Sequence, residues 1–103
     1  MPIEQAVPAG LVVNELLTNA HKHAFRHSPQ ARLRVTLTET NSTVEVAIAD
    51  NGPGLPPDFD LENTGTLGMQ LVCNLTRQLG GTVSAHNDGG AVFTLRFPTA
   101  GRT

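Results

Sequence analysis

The sequence predicts an α+β fold of two layers, a sheet with helices packed on it. Two segments carry helical periodicity, about residues 8–25 and 68–79. Two pairs of segments alternate with period two, within about 33–48 and 82–97. The order is therefore helix, two strands, loop, helix, two strands, and long helical crossovers between strand pairs argue for a layered sandwich.

In the first helix Val13, Leu16, Leu17, Ala20 and Ala24 recur at three- and four-residue spacing. Pro8 suits its start, and Ser28-Pro29 stops the pattern after Phe25. Leu33, Val35 and Leu37 share one strand face, and Val44, Val46 and Ile48 share another, joined by the turn-forming Thr40-Asn41-Ser42-Thr43. After Asp50 the pattern gives way to a long irregular loop from Asn51 to about Gly65, a length that in compact domains is usually functional or disordered. A second helix from about Gly68 to Leu79 turns Met69, Val72, Leu75 and Leu79 inward and stops at Gly80-Gly81. Thr82 to Asn87 and Ala91 to Phe97 form a closing hairpin around Asp88-Gly89-Gly90.

Composition narrows the function. The 103 residues suffice for one domain and one core, so residues 1–103 are expected to form a single unit. With 7 Lys and Arg against 9 Asp and Glu, the net charge of −2 gives no basic footprint for nucleic acid or an anionic membrane. The longest apolar run, Val46 to Ala49, is far too short for a transmembrane helix or signal peptide. The single Cys73 excludes an internal disulfide and fits a reducing, cytoplasmic compartment, where it serves as a small apolar filler. Seven of the 10 Gly and 7 Pro crowd between Asn51 and Gly68. That stretch is expected to be the most mobile part of the molecule.

Three polar constellations stand out, each with two readings. On a helical wheel with Glu15 at zero, Asn19 falls at about 40°, Lys22 at about 340° and His23 at about 80°. Core residues occupy about 100° to 200°, and Asn14, Thr18 and His21 about 240° to 300°, toward solvent. The Glu15 stripe is either a wet face with Glu15 loosely paired to Asn19 and Lys22, or a cation- and anion-handling edge beside the core. Asp50-Asn51-Gly52-Pro53-Gly54 is either an ordinary turn or a carboxylate placed for an exocyclic amine beside glycines that admit a flat ligand. Thr64-Gly65-Thr66-Leu67-Gly68 is either a Gly-rich helix cap or a phosphate-receiving helix N-terminus. His21, His23 and His27 do not suit a transition metal, because the first pair diverges by about 200°.

Taken in order, the segments resemble the ATP-binding domain of the GHKL superfamily, which includes gyrase-type ATPases, heat-shock chaperones, histidine kinases and mismatch-repair ATPases. NELLTNAHKHAF (Asn14 to Phe25) resembles the N box, DNGPG (Asp50 to Gly54) the first glycine box, and GTLGMQLV (Gly65 to Val72) the second. LGG (Leu79 to Gly81) and GGAVFTLRFP (Gly89 to Pro98) resemble the closing strands. The Glu-led N box, His-Ala-Phe and short lid are most similar to HWE-type sensor histidine kinases. The resemblance implies a Bergerat-type fold, with a mixed, mainly antiparallel sheet, helices on one face and an ATP lid over about 51–68.

The resemblance also implies ATP and Mg²⁺ as cofactors. Asn19 would bind Mg²⁺ through its amide oxygen, with Glu15 as a further candidate ligand that orients or deprotonates a reacting group. Lys22 and His23 would neutralise phosphate charge. Asp50 would read the adenine amine, with Gly52 and Gly54 beside it. Gly65, Thr66, Leu67 and Gly68 would wrap the phosphates. Departures include Gly-Thr-Leu-Gly in the second box, Ala91 where relatives often carry Thr, and Phe59 as the sole candidate for a lid Phe. No phosphoacceptor hairpin precedes Pro8, so the chain is expected to be part of a longer protein, cytoplasmic or the cytosolic part of a membrane-bound sensor. Its expected partners are a phosphoacceptor His domain, of the same or a partner chain, and a response regulator downstream. The expected activity is transfer of the γ-phosphate to that His, a histidine protein kinase; the alternatives are a GHKL-type ATP hydrolase and an anti-sigma-factor Ser/Thr kinase-like regulator.

Overall fold

The computed structural model describes residues 3–27, 30–56, 59–61 and 66–99, and of residues 23–27 the backbone alone. Six elements follow in order: α1 (Ile3–His27), β1 (Leu33–Thr40), β2 (Thr43–Asp50), α2 (Leu67–Gln78), β3 (Thr82–Asn87) and β4 (Ala91–Pro98). The sheet order is β1-β2-β4-β3, and all three pairings are antiparallel. Among the described residues there is thus no parallel pair, and the expected mixed component of the sheet is absent from them. α1 lies over β2 and β4, and α2 packs on α1 and β3.

α1 starts at Ile3, five residues before the start that Pro8 predicts, and Pro8 is internal. A proline inside a helix gives up its hydrogen bond to the carbonyl four residues back and crowds it. The turns before it are tied to the sheet: Gln5 Nε2 donates to the Pro98 carbonyl at 2.6 Å, anchoring them to the end of β4. The buried stripe is Ala9, Val12, Leu16 and Ala20, while Val13 and Leu17 are half-buried. Relative to expectation the core stripe is turned toward Glu15 and Asn19, because α2 closes that flank and β1 leaves the other open. Ala24 lies among the side chains outside the described set.

β2 is buried on every second residue, at Val44, Val46, Ile48 and Asp50. Val35 and Leu37 pair with Ile48 and Val46 and so share the inner face, yet they are 49% and 65% exposed. β1 is an edge strand lying outside the cover of the helices, so its apolar face is not part of the core. The β1–β2 turn places Asn41 and Ser42 at φ 53° and 65°, the left-handed pair whose twist suits a two-residue hairpin. In α2 the inward residues are Met69, Val72, Thr76 and Leu79, with Leu75 half-buried. Thr76 is buried without penalty because its hydroxyl donates to the Val72 carbonyl at 2.7 Å. Phe93, Leu95 and Phe97 complete the core from β4.

Candidate functional site

The period-two burial of β2 carries one residue past the apolar row. Asp50 ends that row, facing inward where the strand runs out, and is 6% exposed. Its Oδ1 accepts from the Gly52 N–H at 2.8 Å and from the Ala91 N–H at 3.2 Å. Its Oδ2 is buried and has no hydrogen-bond partner among the described residues. A buried acceptor left unmet costs about 1–3 kcal/mol, so this atom is set for a donor from outside the protein. The carbonyl of Asp50 is fixed as well: a Cβ on Gly90, at φ 148°, would collide with it, so only glycine admits this approach of β4.

Asp50 lines a cavity of about 280 Å³. The post-β2 loop supplies one wall through Leu55, Pro56 and Phe59. Asn87, at the end of β3, holds that loop with both ends of its amide: Oδ1 accepts from the Leu55 N–H at 2.7 Å, and Nδ2 donates to the Leu55 carbonyl at 3.2 Å. A Cβ on Gly54 (φ 86°) would lie 2.8 Å from Asn87 Oδ1, so the glycine keeps this clamp closed. Phe59 meets Phe93 edge to face, centroids 6.2 Å apart and planes at 81°. With Ala20, Met69 and Ala91, these groups make a mostly apolar chamber around one polar acceptor, suited to a flat heteroaromatic ring.

The other end of the cavity is polar and lies between α1 and the start of α2. Asn19, Lys22 and Thr66 line it. Asn19 Nδ2 donates to Met69 Sδ at 3.1 Å. Thr66 caps α2, its hydroxyl accepting from the Met69 N–H at 3.2 Å. Lys22 is exposed at the rim. Glu15 is half-buried and does not line the cavity; its carboxylate packs on Gly68, where any Cβ would strike Oε2. That position sets a negative charge against the first turn of α2, the favourable end of its dipole.

The candidate residues thus divide by placement. Asn19, Lys22, Asp50 and Thr66 meet in one cavity. Gly52 serves it by donating to Asp50, Gly54 by admitting Asn87, and Gly68 by admitting Glu15. Leu67 is 82% exposed and faces away. Gly65 and the side chain of His23 lie outside the described residues, as do 57–58 and 62–65 of the expected lid. Leu55, Asn87 and Phe93 were not legible as site residues. Phe93 reads as one more inward position of a strand, and the Asn87 clamp joins residues 32 apart in sequence.

Among the described residues no three His, Cys, Asp or Glu side chains cluster to cage a metal. The donors present are the Asn19 amide oxygen and, nearby, the Glu15 carboxylate. Such a sparse oxygen set fits Mg²⁺, which keeps most of its waters and takes further ligands from phosphates.

Residues 4–101 match the family described as histidine kinase-, DNA gyrase B-, and HSP90-like ATPase. Blue-light-activated histidine kinase 2 of Erythrobacter litoralis is 36% identical over 101 residues, covering 95% of this chain and 29% of the relative. The solved histidine kinase domain of the Erythrobacter litoralis EL346 blue-light activated kinase superposes with a TM-score of 0.86 at 31% identity, covering 95% of this chain and 46% of that one. The solved ATP binding domain of PrrB from Mycobacterium tuberculosis superposes with a TM-score of 0.75 at 30% identity, covering 92% and 69%. The chain therefore spans under a third of that curated relative, and its sandwich is that of histidine kinase catalytic domains. By its sequence, its topology and the placement of its three motifs, the chain belongs to the family of histidine kinase-, DNA gyrase B- and HSP90-like ATPases.

Proposed function

We propose that this chain is the nucleotide-binding catalytic domain of a sensor histidine kinase, that it binds Mg-ATP, and that it delivers the γ-phosphate to a His on a separate dimerisation domain. The observation that carries the reading is the unmet Asp50 Oδ2 in an otherwise apolar chamber. An adenine ring between the Met69 and Phe59 walls would present its exocyclic amine to that oxygen, supplying the missing donor. The phosphates would then extend toward the polar end, where Lys22 offers positive charge and the capped N-terminus of α2 offers backbone N–H groups.

Asn19 Oδ1 is the protein ligand for Mg²⁺ in this reading. When bound, the ion neutralises charge on the β- and γ-phosphates. Glu15, held beside the first turn of α2, orients the reacting end of the site. The protein's contribution is positioning and charge placement within a largely apolar cavity. The similarity of the whole chain to kinase domains supports the kinase assignment.

Calorimetric titration of Mg-ATP into the chain and into Asp50→Ala tests nucleotide binding. Loss of the charged acceptor is expected to weaken affinity by about 10- to 100-fold, matching about 1.5–3 kcal/mol for a hydrogen bond to a charged group. No binding by the wild type, or equal binding by the variant, would overturn the reading. Incubation with labelled ATP and a dimerisation-hairpin fragment tests the activity: label is expected on the hairpin His. Steady release of free phosphate without transfer would instead mark a hydrolase.

A further inference from the structure

We propose that Met69 is a positioning residue for Asn19, its thioether fixing which end of the Asn19 carboxamide faces the cavity. The inference rests on the reading of the cavity as a Mg-nucleotide site and deepens it by naming what sets the ligand's orientation.

A carboxamide has two ends of nearly equal shape and opposite chemistry, so in a roomy cavity it can turn over. Asn19 sits at such an opening, half-buried, and among the described residues its side chain makes one hydrogen bond, Nδ2 to Met69 Sδ at 3.1 Å. A thioether sulfur carries lone pairs and no proton, so it can only accept. The NH₂ end is rewarded there, whereas the oxygen would set lone pair against lone pair. Sulfur therefore selects one rotamer and turns Oδ1, the atom able to hold a cation, away from itself.

The sulfur is itself held in place. Met69 is 4% exposed, and its backbone N–H donates to the Thr66 cap at 3.2 Å in the first turn of α2. Packing and capping thus fix the acceptor on one helix while the ligand stands on the other. A leucine would fill the same volume but would leave the two amide orientations undistinguished. The choice of methionine at this wall is explained by its lone pairs as well as its bulk.

The test compares the wild-type chain with Met69→Leu and Met69→Gln, whose amide oxygen can accept the same N–H. ADP is titrated with Mg²⁺ and again with EDTA, and the ratio of the two affinities is read. That ratio is expected to fall about tenfold in Met69→Leu, the weak end of what outer-shell partners of metal ligands contribute, and to be restored in Met69→Gln. Because Met69 is also a wall of the chamber, affinity in EDTA is the reference for each variant, and the ratio alone reports on Asn19. In the nucleotide-free chains, NMR of the Asn19 side-chain NH₂ is expected to show a displaced resonance pair in the wild type and in Met69→Gln. The pair should move to free-amide positions in Met69→Leu. An unchanged ratio, an equal loss with and without Mg²⁺, or unchanged Asn19 resonances in Met69→Leu would overturn the proposal. Absence of ADP binding by the wild type would instead overturn the nucleotide reading, and the NMR comparison would still decide the role of Met69.

Discussion

Asp50 performs two tasks with its two oxygens. Oδ1 ties the loop amide of Gly52 to the strand amide of Ala91, and Oδ2 stays unmet inside the cavity. The first task makes the second possible, because the carboxylate cannot turn to satisfy Oδ2 without losing two hydrogen bonds. The same point in the chain depends on Gly90, whose φ of 148° and closeness to the Asp50 carbonyl exclude a side chain. Gly90→Ala is expected to lower stability by about 2–3 kcal/mol, since neither the backbone angle nor the facing carbonyl can relax cheaply. Urea denaturation monitored by circular dichroism checks this. Asp50 was legible in the sequence because a strict alternation from Val44 points it inward. The Asn19–Met69 contact was not, because its partners are 50 positions apart and no local pattern couples them.

The two helices present their site residues by different means. α1 holds Asn19 and Lys22 through a buried stripe from Ala9 to Ala20, so the polar edge follows from the apolar one. α2 relies on its beginning: Thr66 is at once N-cap and cavity wall, and Met69 in the first turn meets both Thr66 and Asn19. Thr66→Ala is expected to cost about 1 kcal/mol of stability through the lost cap, measurable as a lower urea midpoint with an unchanged slope. Element identities were legible here because amphipathic period and caps are local signals. The start of α1 was not, since Pro8 reads as a first-turn residue and the contact that anchors the turns before it, Gln5 to Pro98, is remote. The exposure of β1 was not legible either: its alternation is that of a paired strand, while its exposure depends on where the helices end.

At the scale of the molecule, the sheet is a platform whose inner face is covered unevenly. Helices cover β2, β4 and β3, and the cavity opens where β2 ends and β4 begins. The outer face carries the Glu45–Arg96 ion pair, exposed and so worth at most about 1 kcal/mol. Stability therefore resides in the inner layer and in the antiparallel ladder. One hydrogen bond, from Gln5 to the carbonyl of Pro98, joins residues 93 apart in sequence. It makes the described fold almost a ring, so that the linear order of its elements is one of several ways to cut the same circle. A circular permutant opened between Asn41 and Ser42, with residues 99 and 3 rejoined through the intervening native residues, is expected to rebuild the same cavity and bind Mg-ATP as the parent does. It should fold more slowly, because the tight β1–β2 hairpin becomes its longest-range pairing. Calorimetry and stopped-flow refolding on the permutant measure the two consequences separately.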